Sequence, residues 1–284
     1  MPEIKPEYVA SAIIAFAALS AMVFERIFPY TPGQRLFRKH FLTDWLYYSI
    51  VFGLAMDWLC RNLLFPGVDW MLGNLSRQGL MSAWPVWAGV TFSLFTHDLF
   101  IYLFHRWMHA NKYLWRIHEA HHSPREVDWA AGSRAHVFEA IITITAEFGP
   151  LVFLAAKPAV TLYKGAIDAV WGMFIHSNLD VKLGWLQKII NGPQMHRWHH
   201  SRDVHNINFA TKFAFWDWMF GTAYLPEDRK PGRYGIELEW SRNIFTHQLV
   251  AFRPYEKPDA GAAEAAAEGV RVEDAGQAEE QTAS

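Results

Sequence analysis

The chain has 284 residues, enough for one large or two ordinary domains, with 51% hydrophobic and 16% aromatic residues and a formal net charge of -2. That balance gives no electrostatic reason to invoke nucleic acid, and so apolar and aromatic a chain leans towards residence in a membrane. Cys60 is the single cysteine, which excludes an internal disulfide, a self-contained iron–sulfur cluster and a cysteine-built zinc site, so any metal must be held by His, Asp or Glu.

In chain order, the acidic MPEIKPE leads into an apolar run without a small-residue cleavage site, which reads as an uncleaved first membrane helix. Apolar stretches long enough to span recur at about 8–28, 41–60 and 84–104. A fourth and fifth, about 138–156 and 159–178, are separated by Lys157-Pro158 and predict a helical hairpin, although Lys164 and Asp168 leave the fifth open to an interfacial reading. Asp44 and Asp57 in the second span, and His97 and Asp98 in the third, are expensive in hydrocarbon and are expected to face the protein interior.

Arg26, Arg35, Arg38 and Lys39 follow the first span, and Arg106, Lys112, Arg116, Arg125 and Arg134 follow the third. The loop between the second and third spans carries only Arg61 and Arg77. The positive-inside rule then puts the amino terminus outside and the region after the third span in the cytoplasm, in agreement with five crossings. Expected domains are transmembrane helices over 1–85, a catalytic region over 86–226, a cytoplasmic extension over 227–256 and a disordered tail over 257–284, where Ala, Glu, Gly and Gln replace apolar periodicity.

Nine of the 14 histidines stand in four groups: His105 and His109 in HRWMH, His118, His121 and His122 in HEAHH, a lone His176, and His196, His199 and His200 in HRWHH. Positions i, i+3 and i+4 share a helix face, so each H-x-x-H-H box offers three imidazoles to one point. Neutral imidazole is the commonest transition-metal ligand, and nine exceed what one octahedral ion can take, so the pattern predicts two ions. Taken alone, His105 and His109 read as interfacial polar residues and His176 as a satisfied one. HEAHH also fits H-E-x-x-H, in which His118 and His122 bind zinc and Glu119 activates water, but that leaves His121 and HRWHH without a role. His97, His136 and His205 are candidates for extra ligands or supporting residues. Asp98, Glu139 and Asp217 are candidate acceptors for ligand N–H groups. His40 and His247 have no patterned partner, and Trp107, Trp115, Trp129 and Trp198 are candidates to line a lipid pocket.

The run from HDLFIYLFHRWMH through HEAHHSPREVDWAAGSRAH, then HSNLD, then GPQMHRWHHSRDVHNINFATKFAFWDWMFGT, resembles the fatty acid hydroxylase/sterol desaturase superfamily over approximately residues 90–226. The resemblance places the family's boxes on His105 and His109, on His118, His121 and His122, and on His196, His199 and His200, with His176 as the isolated histidine between the second and third. It implies an all-α, integral-membrane bundle of about four to five spans with a cytoplasmic histidine-rich cap. It further implies two iron ions, O2 as co-substrate, and hydroxylation of an unactivated C–H bond in a fatty acyl, sterol, ether or ornithine lipid, with desaturation on the same centre as the alternative. Without a cysteine-rich or nucleotide-binding module, electrons are expected from an external donor, a cytochrome b5, ferredoxin or flavoprotein reductase. A multi-pass protein of a bacterial inner membrane is the expected setting.

Overall fold

The computed structural model describes residues 5–72, 79–238 and 243–253, of which those up to Ala251 form one unit. The expected tail 257–284 lies outside the described residues, as do Arg77 and the first four residues. The described residues are helical, with no strand beyond two isolated bridges, Pro29 with Leu179 and Ser201 with Tyr234.

Helix α1, Pro6–Ile27, begins on a proline whose missing N–H costs nothing in the first turn, and carries Glu7 at its start and Arg26 at its end. A continuous helical run follows through Thr43–Phe52, Gly53–Leu59, Cys60–Leu64 and Phe65–Leu72; its first and third sections are wound more widely, with i→i+5 turns. That run is α2. Then come α3, Val86–Ala110; α4, Lys112–His122; α5, Val137–Phe153; α6, Pro158–His176; α7, Pro193–His199; α8, Phe215–Phe220; and α9, Ile244–Val250. The hairpin expected around Lys157-Pro158 is α5 and α6.

Helix α6 packs between α1 and α3, α5 packs on α3 and on the last section of α2, and α4 folds across the end of α3. Among the described residues two helices, α1 and α3, are long and apolar enough to cross a membrane by length and composition. Both present large apolar side chains outward; Phe16 on α1 is 73% exposed and Trp87 on α3 is 72% exposed. In water each such side chain would forgo about 1.5–3 kcal/mol of burial, whereas hydrocarbon accepts it. Asp44, Asp98 and His97 do face inward, but Asp57 does not: it is exposed and ion-paired with Arg61 one turn on, at 2.7 Å. A local i,i+4 partner satisfied the carboxylate without the protein interior.

The helices and the region between them are tied by buried charge. Glu25, at the end of α1, accepts from the backbone N–H of Trp129 at 3.0 Å and of Asn178 at 2.7 Å. Asp44, at the start of α2, takes the guanidiniums of both Arg38 and Arg134, while Arg38 also grips Asp128 with two hydrogen bonds of 2.7 Å.

Candidate metal centre

Helix α3 runs past its apolar stretch to Ala110, carrying His105 and His109 on its last turns. Asn111 is extended and breaks the helix, and its side chain then accepts from the N–H of Tyr113 and Leu114, capping α4. The reversal lays α4 back over the end of α3, so that HEAHH faces HRWMH. His176 is the last residue of α6, and α7 starts on Pro193 with HRWHH at its end.

The nine histidines converge. His105, His109, His118, His122 and His199 form one group, and His121, His176, His196 and His200 a second; within each, the ligating atoms all lie within 4.8 Å of one another. The groups adjoin, with ring centroids of His122 and His200 4.6 Å apart. The expectation that each H-x-x-H-H box serves one point is corrected. His118 and His122 go to the first group and His121 to the second, while His196 and His200 go to the second and His199 to the first. At 100° per residue, i and i+4 stand about 40° apart, but i+3 and i+4 about 100° apart, so each box splits into a pair and a single ligand. The two boxes thus exchange one histidine each between the groups.

Ring orientation is set from outside. The carbonyls of Phe209, Arg134, Gly172 and Ile207 accept from Nδ1 of His105, His121, His176 and His199 at 2.8, 3.2, 2.8 and 2.8 Å, and Glu139 accepts from Nδ1 of His118 at 2.9 Å. A carbonyl has no proton to give, so in those rings the proton is on Nδ1 and Nε2 is a bare lone pair. His121 and His176 therefore point two lone pairs at each other across 3.3 Å, and the buried Nε2 atoms of His105 and His199 have no hydrogen-bond partner among the described residues. Two lone pairs in that position repel unless a cation lies between them. Neighbouring nitrogens elsewhere are 2.9–3.2 Å apart. Ligands about 2.1 Å from one octahedral ion stand about 3.0 Å apart along each edge, so the spacing fits transition metals. Five and four imidazoles would leave open positions on six-coordinate ions.

Burial holds the cap histidines as neutral ligands: His118, His122, His196, His199 and His200 lie well below the usual imidazole range, and His121 is pushed down to about 4. The carbonyls that orient them are themselves held. Asp217 accepts from the N–H of Phe209 and Ala210, and Asp98 from the N–H of Lys212 and Phe213, pinning the loop that offers Ile207 and Phe209. Burial raises the Asp217 carboxyl to about 6 against these hydrogen bonds. Arg197, inside HRWHH, is fully buried and bonds the carbonyls of Val127 and Ser177 and the Tyr234 hydroxyl. Its spacing carried no signal of this, because its partners are remote in sequence.

Gly132 sits flush against His176, where a Cβ would overlap the imidazole ring. Gly132→Ala is expected to displace His176 and lower metal affinity about 10–100-fold, the effect of losing an outer orienting partner, as read by metal retention on dialysis.

The other expected residues stand apart. Of the candidate acceptors only Glu139 touches a candidate ligand; Asp98 and Asp217 serve backbone N–H groups instead, because the loop they hold has no strand to satisfy it. His97 lies two turns below His105 beside Lys164, His136 caps α5 and meets the Gln248 carbonyl, and His205 is exposed, so none belongs to either group. Glu119 is also outside both groups, one residue round α4 from His118; His118 and His122, the two ligands of the H-E-x-x-H reading, do meet, but within a group that also holds His105, His109 and His199, more imidazoles than that reading uses. His247 is buried and meets the Tyr48 hydroxyl at 2.9 Å.

A cavity of about 340 Å³ opens beneath the two groups, walled by Ile101, Phe104, Met108, Trp171 and Ile175. None of the four expected tryptophans lines it. Trp107 is 58% exposed, Trp115 packs on His109 and His122, Trp129 lies under α1, and Trp198 meets Tyr224. Trp171 takes that place because α6, not the cap, forms the wall.

Comparison with known proteins agrees with this geometry. The family profile described as fatty acid hydroxylase matches residues 90–222, which include all nine histidines. Residues 90–222 match the fatty acid hydroxylase family. The chain is 33% identical over 145 residues to the ornithine lipid hydroxylase OlsE of Rhizobium tropici, covering 50% of this chain and 44% of that protein. It is 32% identical over 159 residues to the alkylglycerol monooxygenase of Homo sapiens (55% and 33%), and 30% identical over 145 residues to the sphingolipid C4-hydroxylase sur2 of Schizosaccharomyces pombe (49% and 49%). The chain thus spans less than half the length of each of these relatives. No solved structure matches it. The matched stretch runs from Val90, near the start of α3, to just past α8, and α1 and α2 precede it.

Proposed function

We propose that the chain is an O2-dependent lipid hydroxylase of the membrane, with one iron ion in each imidazole group. The observation that carries this is the pair of unprotonated nitrogens on His121 and His176, aimed at one another at the head of a cavity with Ile101, Phe104, Met108, Trp171 and Ile175 on its wall. Iron bound there would supply the reduction of O2 and the oxidation of an unactivated C–H bond. The chain's own groups do the rest. Four carbonyls and Glu139 keep the Nδ1 protons in place. The apolar wall keeps water away and holds an alkyl chain against the open side of the centre.

The three named relatives are hydroxylases or monooxygenases of ornithine lipid, alkylglycerol and sphingolipid, which supports a lipid substrate with a polar end. The Lys/Arg distribution supports an amino terminus outside and imidazoles at the cytoplasmic face, in agreement with five crossings, and a bacterial inner membrane is the setting proposed. Electrons come from a separate donor, a cytochrome b5, ferredoxin or flavoprotein reductase.

The test compares the lipids of a host with and without the chain, and with His199→Ala, under isotopically labelled O2. One labelled oxygen on one lipid class, absent with His199→Ala, is the expected result. An alkene without label would indicate desaturation, and lipids unchanged by the chain would overturn the reading.

A further inference from the structure

Helices α3, α5 and α6 each place two polar side chains on the cavity wall, eight residues apart: His105 and His97, Glu139 and Glu147, His176 and Asp168. Eight residues rise about 12 Å along a helix. The cavity therefore has two polar floors, one at the imidazole centre and one about 12 Å away. Halfway between, Ile101, Thr143 and Gly172 line the wall. Three helices repeating one period is the signature of a shaped pocket rather than of a packing defect.

The lower floor is not a third metal site. Its His97, Glu147 and Asp168 have ligating atoms within 4.8 Å of one another, but the buried Lys164 ammonium stands among them, at 2.7 Å from His97 Nδ1, 2.8 Å from Glu147 Oε1 and 2.5 Å from Asp168 Oδ2. An ammonium can only donate, so His97 Nδ1 accepts and the ring proton is on Nε2. That N–H belongs to a side chain only 7% exposed and has no hydrogen-bond partner among the described residues. Lys212 Nζ joins it on the wall, 2.9 Å from Asp168 Oδ1. Lys164 and Lys212 balance Glu147 and Asp168, while Asp98 is engaged by backbone N–H groups and Thr211. Lys212 Nζ also lies 3.8 Å from Asp98 Oδ1, so the floor carries no excess of positive charge and offers N–H donors. That suits a neutral oxygen acceptor better than a phosphate or an ammonium. Ionisable groups at this depth are costly unless paired or used, and here the unused donor stands on the wall of a cavity.

We propose that the lower floor is a polar anchoring subsite. It binds a hydroxyl, carbonyl or ester oxygen of the lipid through His97 Nε2–H and Lys212, and so places a carbon about 12 Å along the chain at the imidazole centre. The proposal rests on the lipid-hydroxylase reading for the chemistry, but its binding test does not require turnover.

The experiment measures binding of 1-dodecanol and of dodecane to the metal-loaded protein in one detergent, for wild type, His97→Phe and Lys212→Met. The expected result is that dodecanol affinity falls about tenfold in each variant, the worth of one hydrogen bond to a buried donor, while dodecane affinity changes less than twofold. Equal changes for both probes, or unchanged dodecanol affinity in either folded variant, would overturn the subsite. Should one variant fail to fold, the other decides. An alcohol preference that depends on His97 in a protein that oxidises no lipid would keep the subsite and sink the hydroxylase reading, so the two failures are told apart.

Discussion

His122→Ala is expected to release metal from the purified protein and to lower O2-dependent lipid oxidation by more than about a hundredfold, since outer orienting partners alone are worth about 10–100-fold. His122 stands where the groups meet: its Nε2 lies 3.1 Å from that of His109 and 3.2 Å from that of His118, and its ring is 4.7 Å from His199 and 4.6 Å from His200. Removing it opens a gap on the first group and unseats the neighbour in the second. Elemental analysis gives the metal per chain and labelled O2 gives the product. Glu119→Gln is the matched comparison, expected to keep both, because Glu119 lies outside the groups and only a zinc protease would need it. A His122→Ala protein with wild-type metal content would sink the two-group assignment.

The nine histidines were legible because helical spacing is local: i, i+3 and i+4 state a face without knowledge of the fold. Their division between two groups was not, since it turns on the 60° difference between two pairs within one box and on which neighbour each pair meets. The hairpin at Lys157-Pro158 and the helix start at Pro193 were legible for the same local reason. What escaped is the support. Glu25 meets residues 104 and 153 positions away, Arg38 reaches Asp128 across 90, and Arg197 reaches Thr31 across 166. Each of these looks like an ordinary charge at a helix end until the fold closes over it. Asp57 shows the converse: a charge in an apolar run that found Arg61 one turn away and needed no interior at all. The lower floor of the cavity combined both difficulties. Lys164 and Asp168 were visible as expensive residues, but their meaning depended on His97 and Glu147 arriving from two other helices at the same height.

Asp44→Ala is expected to be the most destabilising single change outside the imidazoles. The carboxylate is fully buried and carries both Arg38, at 2.6 Å, and Arg134. Removing one partner of a buried ion pair leaves uncompensated charge in a low-dielectric interior and costs about 3–5 kcal/mol. Arg38 retains Asp128, but Arg134 has no second carboxylate among its hydrogen bonds to the described residues, so the loss falls on Arg134. For a domain of this size that corresponds to a thermal midpoint lower by on the order of 10 °C. The damage is not confined to stability. The Arg134 carbonyl accepts from His121 Nδ1, and its guanidinium bonds Ser123, the residue after His122, so a shift of Arg134 reaches one histidine of each group. Asp44→Asn keeps one acceptor oxygen and is expected to fall between wild type and Asp44→Ala in thermal unfolding and in metal retention. If Asp44→Ala unfolds within a degree or two of wild type, the cap is not anchored to the membrane helices through this carboxylate. If it unfolds early yet binds metal as wild type does, the link from α2 through Arg134 to His121 is broken.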